Sequence, residues 1–229
     1  MNGISLVIPA HNGAKVIENS LREYHSVLSK NFKNFEIIVV CNDCWDNTAN
    51  ICKKLANKLP VRVIEIPQRG KGYALITGFN NAKFDFLGFL DADNPFDLKK
   101  IQEMISKLNE CDVIIASKYK RGTIKIQDVL LRRFISLLGS IFSRTFLGLK
   151  FRDTQAGAKF FRKEVWSNVG KNFTCTGFDF DMEFLYRVNR KKFRILEVYV
   201  PIRRDKFSTF RLKYLPGMLK RLLVMRFLR

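Results

Sequence analysis

The chain has 229 residues and a formal net charge of +20, from 41 Lys and Arg against 21 Asp and Glu. This length fits one large domain, or one domain with an appendage, and no apolar run reaches the roughly 18 residues of a plain transmembrane helix. The positive charge lies in the second half, since residues 1–117 hold 14 basic and 13 acidic residues and residues 118–229 hold 27 and 8. We expect the second half to bind phosphates, an anionic membrane surface or nucleic acid.

The five cysteines are an odd number, and no signal peptide precedes them. Both features predict a reducing, cytoplasmic compartment. Cys41 and Cys44 form a C-x-x-C pair, but a zinc site would need a second pair or histidines at ligand spacing. The chain offers only His11 and His25, so we interpret the pair as structural or incidental.

Apolar runs alternate with segments of helical spacing along the first half of the chain. The predicted strands cover residues 4–9, 35–40, 61–66, 86–90 and 113–116, and the predicted helices cover 15–30, 47–59, 73–81 and 97–109. Strands that alternate with helices in this way predict a parallel, right-handed wound α/β sheet.

The fourth predicted strand ends abruptly in Asp91-Ala92-Asp93-Asn94. Two carboxylates one residue apart at a strand end can share a divalent cation, and Mg²⁺ prefers one or two carboxylates together with substrate phosphates. The alternative is a polar turn, because Asp and Asn favour turns. The ends of the first, second and fourth strands meet at one edge of such a sheet, which favours a nucleotide-sized crevice there.

Five motifs follow one another along the first half of the chain: Pro9-Ala10-His11-Asn12, Ile37-Ile38-Val39-Val40, Asp46-Asn47-Thr48, Gly70-Lys71-Gly72-Tyr73-Ala74 and Asp91-Ala92-Asp93. In their order and approximate spacing the chain resembles family 2 glycosyltransferases with the GT-A fold. Later segments resemble dolichyl-phosphate glucosyltransferases and mannose synthases, namely Arg132 with Ser136, the run from Asp153 to Phe161, and Phe180-Asp181-Met182-Glu183. The resemblance covers roughly residues 4–212.

The resemblance implies a Rossmann-like, mostly parallel wound sheet flanked by helices. It implies inverting transfer of a sugar from a UDP- or GDP-sugar to a polyprenyl (dolichyl-type) phosphate. Mg²⁺ or Mn²⁺ would bridge the diphosphate and the DxD motif, with Asp93 as metal ligand and Asp91 at the ribose or the metal's water shell. The implied nucleotide-sugar residues are Pro9, Ala10, His11, Asn12, Asn42, Gly70, Lys71, Asp91, Ala92 and Asp93.

The chain departs from the family pattern at three positions. Gly13 stands where an acidic residue usually follows the asparagine, and Cys41 and Asn42 stand where two aspartates usually end the second strand. Asn42 can still hydrogen-bond a base, because its amide both donates and accepts. The departures change which base or ribose contact is favoured.

Residues 129–149 show helical spacing with a narrow polar stripe that includes Arg132 and Ser136. These two side chains lie one turn apart and can hold the same phosphate; the alternative is an amphipathic core helix. In the resembled family the pair binds the acceptor or donor phosphate. The predicted acceptor or phosphate-binding residues are Lys118, Arg132, Ser136, Lys159, Arg204 and Arg211.

The resemblance also implies a sugar pocket, formed by Asp153, Gln155, Gly157, Asp181 and Glu183. From the residues alone, Asp153 could instead cap a β-turn, and Glu183 could pair with a helix dipole. The predicted catalytic residues are Asp93, Asp181 and Arg132. A phosphate acceptor is already an anion, so Asp181 would position the acceptor or a sugar hydroxyl rather than act as a base.

The C-terminal region is basic and apolar. Residues 198–202 are a predicted strand, and residues 212–229 mix Leu, Met and Phe with Lys and Arg. They suit an anionic membrane surface, or alternatively a helix that docks on the domain or on another subunit. We predict a GT-A domain at 1–205, with a nucleotide-sugar half (1–117) and an acceptor half (118–205), and a membrane-surface or docking segment at 206–229.

These assignments predict a peripheral enzyme at the cytoplasmic face of a membrane, with oligomers possible. Three alternatives remain. A family 2 transferase could act on a hydroxyl of a glycan or lipid. A nucleotidyltransferase normally has a glycine-rich loop with a basic residue directly after the first strand, where this chain has Pro9-Ala10-His11-Asn12. A nucleic-acid-binding module is disfavoured, because the basic residues are interleaved with apolar runs rather than with exposed stacking aromatics.

Overall fold

The computed structural model describes residues 3–119, 147–202 and 215–227. The helices and strands of the described chain come in this order: β1 (Ile4–Ala10), α1 (Ile17–Asn31), β2 (Phe35–Asn42), α2 (Thr48–Ala56), β3 (Val61–Ile66), α3 (Lys71–Asn80), β4 (Phe86–Leu90), α4 (Leu98–Ser106), a 3₁₀ helix (Lys107–Asn109), β5 (Val113–Ser117), β6 (Ala158–Arg162), α5 (Lys163–Val169), α6 (Phe180–Arg190), β7 (Ile195–Tyr199) and α7 (Leu215–Phe227).

The strands of the described ranges form one seven-stranded sheet with the order β3-β2-β1-β4-β6-β5-β7. β6 runs antiparallel to both of its neighbours, and the other pairs are parallel. β4 and β5 are buried along their whole length, as expected of central strands covered on both faces. The mostly parallel wound sheet predicted from the sequence is confirmed.

Helices cover both faces of the sheet, because alternate residues of each strand point to opposite sides. Ile4, Leu6 and Ile8 of β1 pack into a core with α1, α2 and α4. Val7 of the same strand packs into a second core on the other face, with α3, α5, α6 and α7. These two cores hold the carboxyl ends of the strands in fixed positions.

The order of the strands opens a crevice beside β1. The chain moves outward from β1 through β2 to β3 and then returns to the other side of β1 as β4. Ligands bind at such a switch point, beyond the carboxyl ends of the strands. The loops after β1, β2 and β4, which carry most of the predicted donor-site residues, therefore lie at one edge.

Two features of the sheet differ from the predictions. The antiparallel insertion of β6 was not predicted as part of the sheet order. The last strand was predicted at 198–202, but β7 covers Ile195–Tyr199 and pairs in register with β5 from Val113↔Ile195. The prediction was drawn too far along the chain, because Pro201 lacks the N–H that a strand ladder needs.

The predicted helix at 129–149 lies almost entirely outside the described residues, as do Arg132, Ser136, Arg204 and Arg211. Across the three described ranges, no helix combines the length and the apolar character required to cross a bilayer. α7 packs on the domain through Leu222 and Met225, while Leu223 and Phe227 face solvent.

Candidate active site

The end of β4 is fixed in place by backbone contacts from two other elements. Asp91 N donates to Gly157 O at 3.0 Å, and Tyr24 Oη, from α1, donates to Asp91 O at 2.6 Å. Asp91 thus sits at the carboxyl edge of the sheet with its side chain free to meet charged partners.

Four charged side chains form an ionic cluster at this edge. Lys71, at the start of α3, places Nζ 3.2 Å from Asp91 Oδ1 and 3.2 Å from Asp181 Oδ2. Lys159, on β6, places Nζ 2.6 Å from Asp181 Oδ1 and donates to Ala156 O at 2.8 Å. Lys159 and Asp181 are buried, and Asp91 is partly exposed. The cluster therefore runs from the protein interior to the open edge of the sheet.

The cluster keeps Asp181 charged. Burial by itself would raise the pKa of Asp181, but the ammonium groups of Lys159 and Lys71 outweigh it and hold that pKa below the ordinary value. Burial would lower the pKa of Lys71, and the Asp181 and Asp91 carboxylates raise it instead. Asp181 is consequently a stable anion and a weak base.

Asp91 differs from Asp181. Burial raises the pKa of Asp91, with the negative charge of Asp93 adding to the shift, and the Lys71 ammonium only partly offsets it. Asp93 follows two residues later and lies close enough for its charge to act on Asp91. A cation bound between the two carboxylates would stabilise their charged forms.

The loop before α3 fits tightly against the segment that precedes α6. Gly70 has φ of 145°, and a Cβ there would lie 2.5 Å from Thr176 O. A Cβ on Gly72 would lie 2.7 Å from the Thr176 backbone, and Tyr73 N donates to Thr176 O at 3.2 Å. Glycine is required at both positions, and the close approach sets Lys71 between the two carboxylates.

Gly157 is needed for a different reason. A Cβ at this position would overlap the Asp91 carboxylate. We expect Gly157→Ala to displace that carboxylate from Lys71 and to lower the free energy of unfolding by about 1–3 kcal/mol, the usual cost of overpacking. Denaturant unfolding measures the change.

The control for this prediction is Gly217→Ala in α7. Among the described residues, a Cβ there would meet only Arg221 Nη1, at an ordinary 3.5 Å, and alanine is favoured within a helix. This variant should be at least as stable as the parent. A loss below about 0.5 kcal/mol in Gly157→Ala, the range of a neutral surface change, would contradict the packing argument.

The predicted metal ligands fit a hard divalent cation. Among residues 3–119, 147–202 and 215–227, no group of three or more His, Cys, Asp or Glu could hold a metal by protein ligands alone. Mg²⁺ does not require such a group, since one or two carboxylates and the substrate phosphates suffice. Asp91 and Asp93 supply two carboxylates, one residue apart, at the carboxyl end of β4.

The loops after β1 and β2 are joined by side-chain hydrogen bonds. Asn12 Oδ1 accepts from Trp45 N at 3.0 Å and from Asp46 N at 3.3 Å. The Asp46 carboxylate in turn accepts from Ala14 N at 3.0 Å and from Thr48 N at 3.0 Å. Both loops are therefore held rigidly beside the crevice.

Asn42, predicted to contact the nucleotide, is buried at the end of β2. In the amide orientation that satisfies its neighbours, Asn42 Nδ2 donates to Ala10 O at 2.9 Å and Oδ1 accepts from Gly70 N at 3.2 Å. The His11 ring makes a 2.8 Å hydrogen bond with Asn42 O. These contacts join the first strand, the second strand and the Gly70 loop.

The cysteine pair beside these loops has structural contacts. Cys41 is buried, and Cys44 Sγ donates to Ala10 O at 3.2 Å. Burial raises the pKa of Cys44 to about 11, so its thiol is protonated at neutral pH.

The predicted sugar-pocket residues separate into two groups. Asp181 is a member of the ionic cluster, and Gly157 contacts the cluster through Asp91. Gln155 precedes Gly157 in the same loop, and its Nε2 donates to Phe178 O at 3.4 Å. Asp153 is buried, and its carboxylate accepts from Lys118 N at 3.3 Å and Gln155 N at 3.3 Å. It holds two backbone segments together.

Glu183 is completely buried in the first turn of α6. Its carboxylate accepts from Thr174 N at 2.9 Å and Cys175 N at 2.6 Å, and it pairs with Arg187. Its observed contacts hold the loop that leads to Thr176. Lys159, predicted for the acceptor phosphate, is likewise buried, and it contacts Asp181 and the Ala156 carbonyl.

The sequence analysis missed three residues at or near the site. Tyr24 lies on the buried face of α1, where a tyrosine hydroxyl usually needs a partner, and that partner is Asp91 O. Arg221 Nε of α7 lies 2.5 Å from the buried Asp179 Oδ2, a pairing that no local pattern signals. Trp45 is strongly exposed at the rim.

The sequence of the chain is similar to those of known glycosyltransferases. The model of Glycosyl transferase family 2 matches residues 5–170. Dolichol-phosphate mannosyltransferase of Pyrococcus furiosus is 30% identical over 200 residues, and human dolichyl-phosphate β-glucosyltransferase is 28% identical over 214 residues. These matches cover 85% and 86% of this chain but only 55% and 66% of the two relatives, so the chain spans less than two thirds of their length.

A solved structure shares the fold at low sequence identity. Glucosyl-3-phosphoglycerate synthase of Mycobacterium tuberculosis, in complex with Mn²⁺, UDP and phosphoglyceric acid, superposes with a TM-score of 0.70 at 18% identity. The match covers 98% of this chain and 77% of the other. The strand order and the flanking helices are thus those of a GT-A-like glycosyltransferase fold.

Proposed function

The chain belongs to Glycosyl transferase family 2, and from this premise we propose that it transfers a sugar from a nucleotide sugar to a polyprenyl phosphate with inversion. The observation that carries the proposal is the ionic cluster of Lys71, Asp91, Lys159 and Asp181, with Asp93 beside it. The names of the relatives, which act on dolichyl phosphate, support the same acceptor class.

The donor binds across the carboxyl edge of the sheet in this proposal. Asp91 and Asp93 would hold Mg²⁺ or Mn²⁺, which when bound supplies Lewis-acid stabilisation of the leaving diphosphate. Lys71 lies at the N-terminus of α3, where the helix dipole and the ammonium group both favour a phosphate. The Mn²⁺ and UDP in the structure of the mycobacterial synthase support a UDP-sugar with a divalent metal.

The lowered pKa of Asp181 favours a phosphate acceptor over a hydroxyl acceptor. A hydroxyl acceptor needs a general base, and a base works best when its pKa is near the operating pH. The two lysines lower the pKa of Asp181, so this carboxylate takes up a proton poorly. A phosphate acceptor arrives as an anion and needs no such base. Asp181 instead holds Lys71 in place, and Lys71 can position a phosphate.

The acceptor would approach from a membrane. Helix α7 buries Leu222 and Met225 against the domain and leaves Leu223, Phe227, Lys220 and Arg226 at the surface. Apolar side chains mixed with basic ones suit an anionic lipid surface. We therefore place the protein at the cytoplasmic face of a membrane as a peripheral enzyme, with residues 206–229 as the contacting segment.

The test compares two acceptors that differ only in the phosphate. Dolichyl phosphate and dolichol are presented separately in anionic liposomes with Mn²⁺ and radiolabelled UDP-glucose, and in parallel with GDP-mannose. We expect label in the lipid phase only with dolichyl phosphate. The product should release free sugar in mild acid and resist base, as a glycosyl phosphate does. Transfer to dolichol, or an acid-stable glycosidic product, would overturn the proposal.

A further inference from the structure

Trp45 is the most exposed large apolar side chain of the described residues, with 83% of its surface accessible. The chain has two tryptophans, and the other, Trp166, is 7% exposed and packs between Phe79 and Phe173. Single exposed apolar residues are ordinary on protein surfaces, so the meaning of Trp45 depends on where it lies.

Trp45 lies at the edge where β1 and β2 end. Its backbone N–H donates to Asn12 Oδ1 at 3.0 Å, and Asn12 directly follows the β1 loop residue His11. Thr48 N and Ala14 N both bind the carboxylate of the next residue, Asp46. The indole is thus presented by a loop that is already ordered, which reduces the entropy lost when a ligand binds.

The polar groups beside Trp45 are occupied within the protein. Both ends of the Asn42 amide are used, by Ala10 O and Gly70 N, and the His11 ring binds Asn42 O. Between Asn42 and Thr48 the exposed side chains are Asp43, Trp45 and Asn47. A ligand that enters here can meet a flat aromatic surface, one carboxylate and one amide.

We infer that Trp45 is the stacking platform for the nucleobase of the donor, with Asp43 beside it as an acceptor for a base N–H. The inference rests on the proposed function, since it assigns one residue to its donor. Gly70 N binds Asn42 Oδ1, so the Trp45 loop and the Lys71 loop are neighbours. A nucleoside diphosphate can therefore reach from the indole toward Lys71.

Stacking also accounts for the departures from the family pattern. Gly13, Cys41 and Asn42 stand where acidic residues were expected, so fewer carboxylates are available to bind the base and ribose. A stacked aromatic contributes affinity without demanding a particular base, because every base has a π-face. Trp45 supplies binding strength at this edge, and Asp43 favours bases with an N–H donor, such as uracil and guanine.

The two tryptophans make the test direct. Tryptophan fluorescence, excited at 295 nm, is followed while UDP, GDP or uridine is added in the presence of Mn²⁺. The proteins compared are the parent, Trp45→Phe and Trp166→Phe. We expect quenching in the parent and in Trp166→Phe, and none in Trp45→Phe, whose remaining indole is buried. Trp45→Ala should bind UDP about tenfold or more weakly, and Trp45→Tyr should recover most of that loss.

The outcomes separate the inference from the proposed function. Thermal shift with UDP- and GDP-sugars first shows whether the parent binds a donor; if no donor stabilises it, the proposed function fails. If the parent binds UDP and Trp45→Ala binds it equally, only the inference fails. A Trp45 emission change with anionic vesicles but not with nucleotides would also overturn the inference, in favour of a membrane contact. Because Trp45 is exposed, its variants should fold normally.

Discussion

Replacing Asp181 with alanine is expected to lower the free energy of unfolding by about 3–5 kcal/mol, the usual cost of removing one partner from a buried ion pair. Lys159 is completely buried, and Asp181 is the carboxylate that pairs with it, at 2.6 Å. Lys71 keeps Asp91 as a partner after the change, but Lys159 would be left as an uncompensated buried charge. Urea unfolding of the purified protein measures the difference.

A double variant tests the cause of this loss. In Lys159→Met/Asp181→Leu both charges are replaced by apolar side chains, which often restores or improves the stability of a buried pair. We expect it to recover most of the free energy lost in Asp181→Ala. Asp85→Ala, at an exposed position, should change stability by no more than about 0.5 kcal/mol. A double variant less stable than Asp181→Ala would argue against an unpaired Lys159 as the cause.

The ion pair of Lys159 and Asp181 makes the free energy of unfolding depend on pH. The folded-state pKa of Asp181 lies below its ordinary value of 3.8, so its contribution to stability is present above about pH 4. That contribution is lost as the pH falls through the folded-state pKa. Asp181→Asn should flatten this acid limb of the stability curve relative to the parent.

The outline of the fold could be predicted from local patterns. Continuous apolar runs located β1 to β5, and helical spacing located the four helices between them, because burial on both faces and the 3.6-residue period are properties of short segments. The position of Asp91 and Asp93 beyond the fourth strand then followed from topology. The DxD motif was found at the edge where β1 and β2 also end.

The rest of the site depends on contacts between distant segments. The antiparallel placement of β6 requires Gly88, since a Cβ there would overlap the Phe160 ring, and neither residue predicts the other from sequence alone. Successive residues of a strand face opposite sides of the sheet, but this alternation does not determine whether the Lys159 side chain points inward. The pairing of Lys71 with Asp181 arises only because Thr176 packs on Gly70 and Gly72. Ion pairs of this kind carry no local signal.

Changing Asp93 to asparagine is expected to lower kcat/KM for sugar transfer by about 10³-fold. The substitution keeps the size of the side chain and removes the charge that, with Asp91, would hold the divalent metal. Lewis-acid stabilisation of the leaving group contributes several kcal/mol, and each 1.36 kcal/mol corresponds to a factor of about ten in rate. Initial rates with dolichyl phosphate and whichever of UDP-glucose and GDP-mannose supports transfer measure the effect.

Asp97→Asn is the matched control, because it removes the same charge four residues further along. Asp97 caps α4 by accepting from Lys99 N at 2.9 Å and Lys100 N at 3.2 Å, and asparagine caps a helix about as well. This variant should retain its activity and its Mn²⁺-dependent stabilisation in the presence of UDP. Asp93→Asn should lose that stabilisation. If Asp93→Asn instead keeps the full Mn²⁺ effect, then Asp93 is not a metal ligand.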